Sequence, residues 1–255
     1  MKKTYLTVLT IITILCIIFG SLYHIGGFFG KISHFPFPVP SFSVGRGEEI
    51  SFEEKYSDIS AIDMDVDFMN VRIDSHNGSE VVATYTGSDR LKPIIEVKNG
   101  TLNITQKQKV KVSLTSEKTS FTLMLPSDKP LKEVEVDVDM GNVDMNNFIT
   151  ENLIIDTDMG NIEGGNITAD NTDISADMGN VSLTGMEFAS LGIDTDMGNV
   201  DITSKKSLEN YAFSCNADAG NININGKKVS KDYMTTGSEG TVRIDTDMGN
   251  IAIDY

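Results

Sequence analysis

The 255-residue chain has no tryptophan and only two cysteines, three histidines and six prolines. Two cysteines can build neither a disulfide framework nor a four-cysteine zinc site, and Cys16 lies inside an apolar run. His24 and His34 both precede residue 48, which leaves His76 as the only imidazole in the rest of the chain. Neither a Ser-His-Asp nor a Cys-His arrangement can therefore be assembled in the second half. The missing tryptophan also deprives a sugar-cleaving site of its best stacking surface. Positive charge is scarce: 21 Lys and Arg stand against 37 Asp and Glu, a net charge of −16. Such a chain is repelled by phosphates, which excludes nucleic acid as a partner. The deficit is local, because residues 1–132 carry 15 basic and 14 acidic side chains and residues 133–255 carry 6 and 23.

What is present begins with an apolar run. Leu6 to Leu22 are 17 uncharged residues, enough at about 1.5 Å per residue to approach the roughly 30 Å of a bilayer core. No A-x-A-like site follows, so an uncleaved signal anchor is favoured over a cleaved signal. A lipoprotein box is disfavoured because Cys16 follows Leu15 within the run. Lys2 and Lys3 place the N-terminus in the cytoplasm and the remainder outside, a single-pass protein of the cell membrane. Residues 1–30 thus read as a cytoplasmic stub and transmembrane helix that partners the membrane. Residues 31–47, with Pro36, Pro38 and Pro40, read as a semi-extended tether.

An internal repeat organises the rest. DMGN occurs at Asp139, Asp158, Asp177, Asp196 and Asp247, with DAGN at Asp218. The first three gaps are 19 residues, and the next two are 22 and 29, as loop insertions would give. Aligned on the glycines, Val136, Ile155, Ile174, Ile193, Cys215 and Ile244 form one apolar column. Val143, Ile162, Val181, Val200, Ile222 and Ile251 form another. Alternation of period two before and after each Gly-Asn pair marks two strands that each bury one face. The Gly-Asn pair breaks the phase like a corner, and a positive φ would account for its glycine. A two-residue hairpin fits that pattern, but equal spacing and self-similar columns favour a single-stranded β-solenoid, or parallel β-helix, with coils of about 19 residues. Residues 133–255 read as the regular solenoid and residues 48–132 as degenerate N-terminal coils. In these, IDMDVDFMNVRI places Met69 at the glycine position and IEVKNGTLNI repeats the turn at Gly100. The fold class is all-β after one N-terminal helix.

The membrane run, the GTLNI strand pair, the strand ending in LMLPSD and the tandem strand-Gly-Asn-strand units together resemble the bacterial "putative-adhesin" domain-of-unknown-function family. They are also similar to head-domain auto-transporter adhesins. The turn usual in that family is Ser-Gly-Asp or similar, so Met-Gly-Asn is a variant. The resemblance spans about residues 48–255 and implies an externally displayed, non-catalytic β-solenoid that binds or scaffolds. It supplies no catalytic residues and no cofactor.

Of the residues that could carry chemistry, the aspartates stand out. Asp139, Asp158, Asp177, Asp196, Asp218 and Asp247 lie two before each glycine on the outward phase. Stacked at about 4.8 Å, each neighbouring pair repels by about 0.9 kcal/mol even at the dielectric of water. Calcium, which takes hard oxygen ligands, is the metal such columns would hold, and a calcium-binding surface protein is one alternative function. The simpler reading is a solvated column whose carboxylates accept backbone N–H groups at the corners. The methionine before five of the six glycines would suit a copper ladder, but its phase predicts a side chain filling the core. The corner asparagines predict a stacked amide ladder. Identical aspartates in every coil offer no acid and base with separated environments, which argues against a glycan-active enzyme. An envelope-stress sensor would need a membrane partner, because so little of the chain precedes the apolar run. The last coil ends at Tyr255 without a polar cap, which predicts an exposed edge open to self-association or to an unidentified envelope partner.

Overall fold

A computed structural model describes residues 47–107 and 119–255. The expected membrane segment, and the tether up to residue 46, lie outside the described residues. Among the described residues no helix is long and apolar enough to cross a membrane. Among the same described residues, one helical turn, Asp89–Leu91, interrupts an otherwise all-β domain.

Each regular coil consists of two strands joined at the Gly-Asn corner, and successive coils pair in parallel at a shift of 19 residues. Val136 pairs with Ile155, Ile155 with Ile174 and Ile174 with Ile193 on the first sheet. Val143, Ile162, Val181 and Val200 pair likewise on the second. The long strand Val181–Met197 runs through both sheets. The inward columns anticipated by the alternation are buried throughout, Cys215 included. Inside this core, burial pushes the Cys215 thiol up to about 12.

Coil order in space departs from coil order in sequence at both ends. On the first sheet the strands run Ile94–Lys98, Thr101–Gln106, Ala61–Phe68, Leu131–Met140, Ile149–Met159, Thr168–Met178, the end of Val181–Met197, Gly240–Met248, Tyr211–Ala217 and Asp232–Met234. The second sheet repeats this exchange: Asn70–His76 lies inside Ser120–Pro126, and Ile251–Asp254 lies between Val200–Ser204 and Ile222–Ile224. The last coil in sequence is therefore an interior coil, which corrects the expectation of an uncapped edge at Tyr255. The end of the stack belongs to the coil of Asn221. Two short antiparallel strands, Lys227–Lys228 and Asp232–Met234, cover its edges. Charged side chains on so short an edge strand discourage further pairing. The Tyr255 ring stacks on Phe213 at 6.2 Å, fastening the returning terminus beneath that end coil.

Two further expectations are corrected by geometry. The turn at Gly100 is not a solenoid corner. Asn99 and Gly100, both at positive φ, close an antiparallel hairpin between Ile94–Lys98 and Thr101–Gln106. Nor do the repeat glycines owe their place to positive φ. A Cβ on Gly160, Gly179, Gly198 or Gly249 would stand 1.7 to 1.8 Å from the carbonyl oxygen of the glycine one coil below. Glycine is required because the stacked backbones approach too closely for any side chain. Positive φ falls instead at a second corner, at Asn147, Asn166 and Gly185, again spaced by 19.

Candidate binding face

The outward side of the first sheet carries the repeated polar side chains, arranged in columns because strand pairing is in register. Next to the corner runs the expected aspartate column, in the spatial order Asp139, Asp158, Asp177, Asp196, Asp247, Asp218, all solvent-facing. Beside it, Asp65, Asp137, Asp156, Ser175, Asp194, Asp245 and Asn216 form a second column. Among the described residues, no group of three or more His, Cys, Asp or Glu side chains converges to hold a metal ion. The columns interact through their fields. Partial burial, then Asp65 and Asp156, hold the Asp137 carboxyl above its ordinary range; burial, then Asp67 and Asp158, do the same for Asp139. Asp156 and Asp245 are raised by burial first and neighbouring aspartates second.

The corner itself is held by the amide ladder the sequence predicts. The backbone N–H of Asn161 donates to Asn142 Oδ1 at 3.0 Å, Asn180 to Asn161 at 3.0 Å and Asn199 to Asn180 at 3.0 Å. The ladder continues through Asn250 to Asn221, following the spatial and not the sequential order. The methionines at this corner overturn the inward reading. Met140, Met159, Met178, Met197 and Met248 are 38%, 39%, 42%, 41% and 54% exposed. The chain turns at the glycine, so the aspartate and the methionine before it both face solvent on the outside of the bend.

Farther from the corner the same face hollows into an open groove of about 870 Å³. Its floor drops at Gly192, which sits between Asp173 and Arg243 and where a Cβ would crowd Asp173 Oδ1 at 3.1 Å. One side carries paired polar groups: Asn171 Nδ2 donates to Asn152 Oδ1 at 3.0 Å, and the Ser190 and Thr241 hydroxyls lie 3.0 Å apart. Arg243 supplies the guanidinium, 3.8 Å from Asp245, and the exposed Met234 on the cap strand closes one wall. Sequence reading missed this groove. Glu133, Asn152, Asn171 and Ser190 do recur at 19 residues, but Thr241, Arg243 and Met234 reach the site only through the displaced end coils. His76 is spoken for structurally: its Nε2 bonds the Glu80 carbonyl at 2.7 Å and its Nδ1 faces the Gly78 N–H at 3.3 Å.

The chain is similar in fold to the structure of a "putative cell adhesion protein" from Clostridium sporogenes ATCC 15579. That match has 17% identity and a TM-score of 0.54, covering 81% of this chain and 99% of the other. A second similar structure, a "putative adhesin" from Bacteroides fragilis NCTC 9343, has 14% identity and a TM-score of 0.49, with coverage of 82% and 97%. No curated protein matches the sequence. The family model Toastrack DUF4097 matches residues 59–255, the whole of the stacked domain from its first inner coil, and the chain belongs to the Toastrack DUF4097 family.

Proposed function

We propose that the protein is a non-catalytic binding module, held outside the cell membrane by its N-terminal apolar segment, that engages a polar chain-like ligand along the outward face of the first sheet. The observation that carries this reading is the open groove at Gly192. It offers amides, hydroxyls and one guanidinium at repeated heights, with no imidazole among the described residues that line it. Such a surface suits hydrogen bonding to an extended polar ligand. Catalysis is disfavoured by the same regularity, since the carboxylates recur in equivalent settings instead of forming an acid and a base with separated properties. The adhesin-like fold neighbours and the seventeen-residue apolar run from Leu6 to Leu22 fit a displayed module.

The test has two arms. Protease added to intact cells should cleave the domain, and the undigested protein should sediment with membranes. Purified protein should bind isolated envelope polysaccharide or the surface of intact cells, and Arg243→Ala with Asn171→Ala should abolish that binding without lowering the unfolding midpoint. Equal binding by the double variant would refute the groove as the contact surface. Release of the protein into the medium would refute the anchor.

A further inference from the structure

The methionine ladder has no role in the core and none in the groove. Five thioethers stand in register on consecutive rungs, with Met140, Met159, Met178, Met197 and Met248 paired Cα to Cα. The backbone there is fixed by the glycine contacts and the asparagine ladder, neither of which requires a methionine. We propose that this ladder binds a soft monovalent cation, copper(I) in particular, between successive thioether sulfurs.

Three features support the assignment. Thioether sulfur is a soft donor that selects copper(I) and, unlike thiolate or imidazole, needs no deprotonation to bind. The rung spacing is also suitable: strands repeat at about 4.8 Å, and two metal–sulfur bonds of the length that zinc makes to thiolate, about 2.3 Å each, span about 4.6 Å. An ion lying between two rungs can therefore take one sulfur from each, the two-coordinate arrangement that a soft d¹⁰ monovalent ion accepts. Finally, every ladder methionine directly follows an aspartate of the outward column, from Asp139–Met140 to Asp247–Met248. Those carboxylates raise the local concentration of cations and lose mutual repulsion when one is bound. The end positions carry Phe68 and Ala219 in place of methionine, so the proposed site is confined to the five interior rungs.

The test uses the purified full-length chain. Silver(I), a redox-stable probe, is titrated while the methionine methyl resonances are followed, and copper(I) is titrated anaerobically against a chromogenic chelator. Shifts are expected for the five ladder methyls. Buried Met64 and Met145 should stay still, and so should Met234, which is 77% exposed but isolated on the cap strand. Replacing the central rungs by Met159→Leu, Met178→Leu and Met197→Leu keeps their apolar volume and should weaken copper(I) binding by at least about tenfold. A hydrophobic docking stripe would survive that change, whereas a thioether site cannot. Asp158→Asn with Asp177→Asn should weaken binding less and make it less sensitive to salt. Undiminished affinity in the triple leucine variant, or shifts at Met234 equal to those of the ladder, would overturn the proposal.

Discussion

Replacing Gly179 by alanine tests the reason given for the repeat glycine. The added Cβ would stand 1.8 Å from the Gly160 carbonyl oxygen, 2.6 Å from its carbon and 3.3 Å from the Asn161 nitrogen. Carbon–oxygen contacts in proteins begin near about 3.3 Å, so the two rungs must part by roughly 1.5 Å. Four hydrogen bonds join them at this point: Gly160 N–H to the Met178 carbonyl at 3.0 Å, Ile162 N–H to the Asn180 carbonyl at 2.9 Å, and to Asn161 Oδ1 both the Asn180 N–H at 3.0 Å and the Asn180 Nδ2 at 3.3 Å. Losing three of the four at about 0.5 to 1.5 kcal/mol each, on top of about 1 to 3 kcal/mol of overpacking, gives a cost of about 2.5 to 7.5 kcal/mol. Against a typical domain stability of about 5 to 15 kcal/mol, that is a large fraction. The control is Gly226→Ala. Nothing lies within 4 Å of its Cβ position, but φ is +69°, so only the left-handed conformation is penalised, by about 1 to 2 kcal/mol. Equilibrium unfolding in urea measures both. If Gly179→Ala proved no more damaging than Gly226→Ala, close rung contact would not be why glycine stands at the corner.

Other expectations follow from burial and charge. In the folded state burial and neighbouring carboxylates raise Glu135, Asp137, Asp139, Asp156 and Asp245. Asp74 goes the other way: burial alone would raise it, but the Asn147 amide, the Ser75 N–H and Arg72 hold it low. A raised carboxyl adds stability that is complete below its unfolded pKa and is lost as pH rises through its folded pKa. The thermal midpoint should therefore climb as pH falls from neutrality toward the ordinary carboxylate range near about 4, and a flat or falling midpoint would contradict the column repulsion. Added salt at neutral pH should raise the midpoint for the same reason. Thermal unfolding with calcium and with a chelator decides whether the aspartate columns bind that ion: a specific site predicts a large shift, a merely solvated column an unchanged midpoint. Thr157 is buried beside Val138 and Ala176 with an Oγ1 that has no hydrogen-bond partner, so Thr157→Val should stabilise by about 1 kcal/mol in the same urea assay. Cys215, buried and shifted to about 12, should resist thiol reagents until the domain unfolds.

The 19-residue period, the all-β class and the identity of the core columns are properties of local sequence, because strand alternation and repeat spacing are written residue by residue. The amide ladder was legible for the same reason: identical asparagines at equal spacing have to stack once the coils do. The sequence could not reveal which coil lies beside which. Near-identical coils are interchangeable as partners, and their order is decided at the ends, by the short antiparallel cap strands and by Tyr255 packing on Phe213. That exchange brings Thr241 and Arg243 beside Ser190 and Gly192, and so makes the groove. The direction of the methionines also escaped strict alternation, since the bend at glycine sends two consecutive side chains outward. Local sequence determined the rungs and their spacing; long-range packing at the two ends and the curvature of the corner decided their order and what they present to solvent.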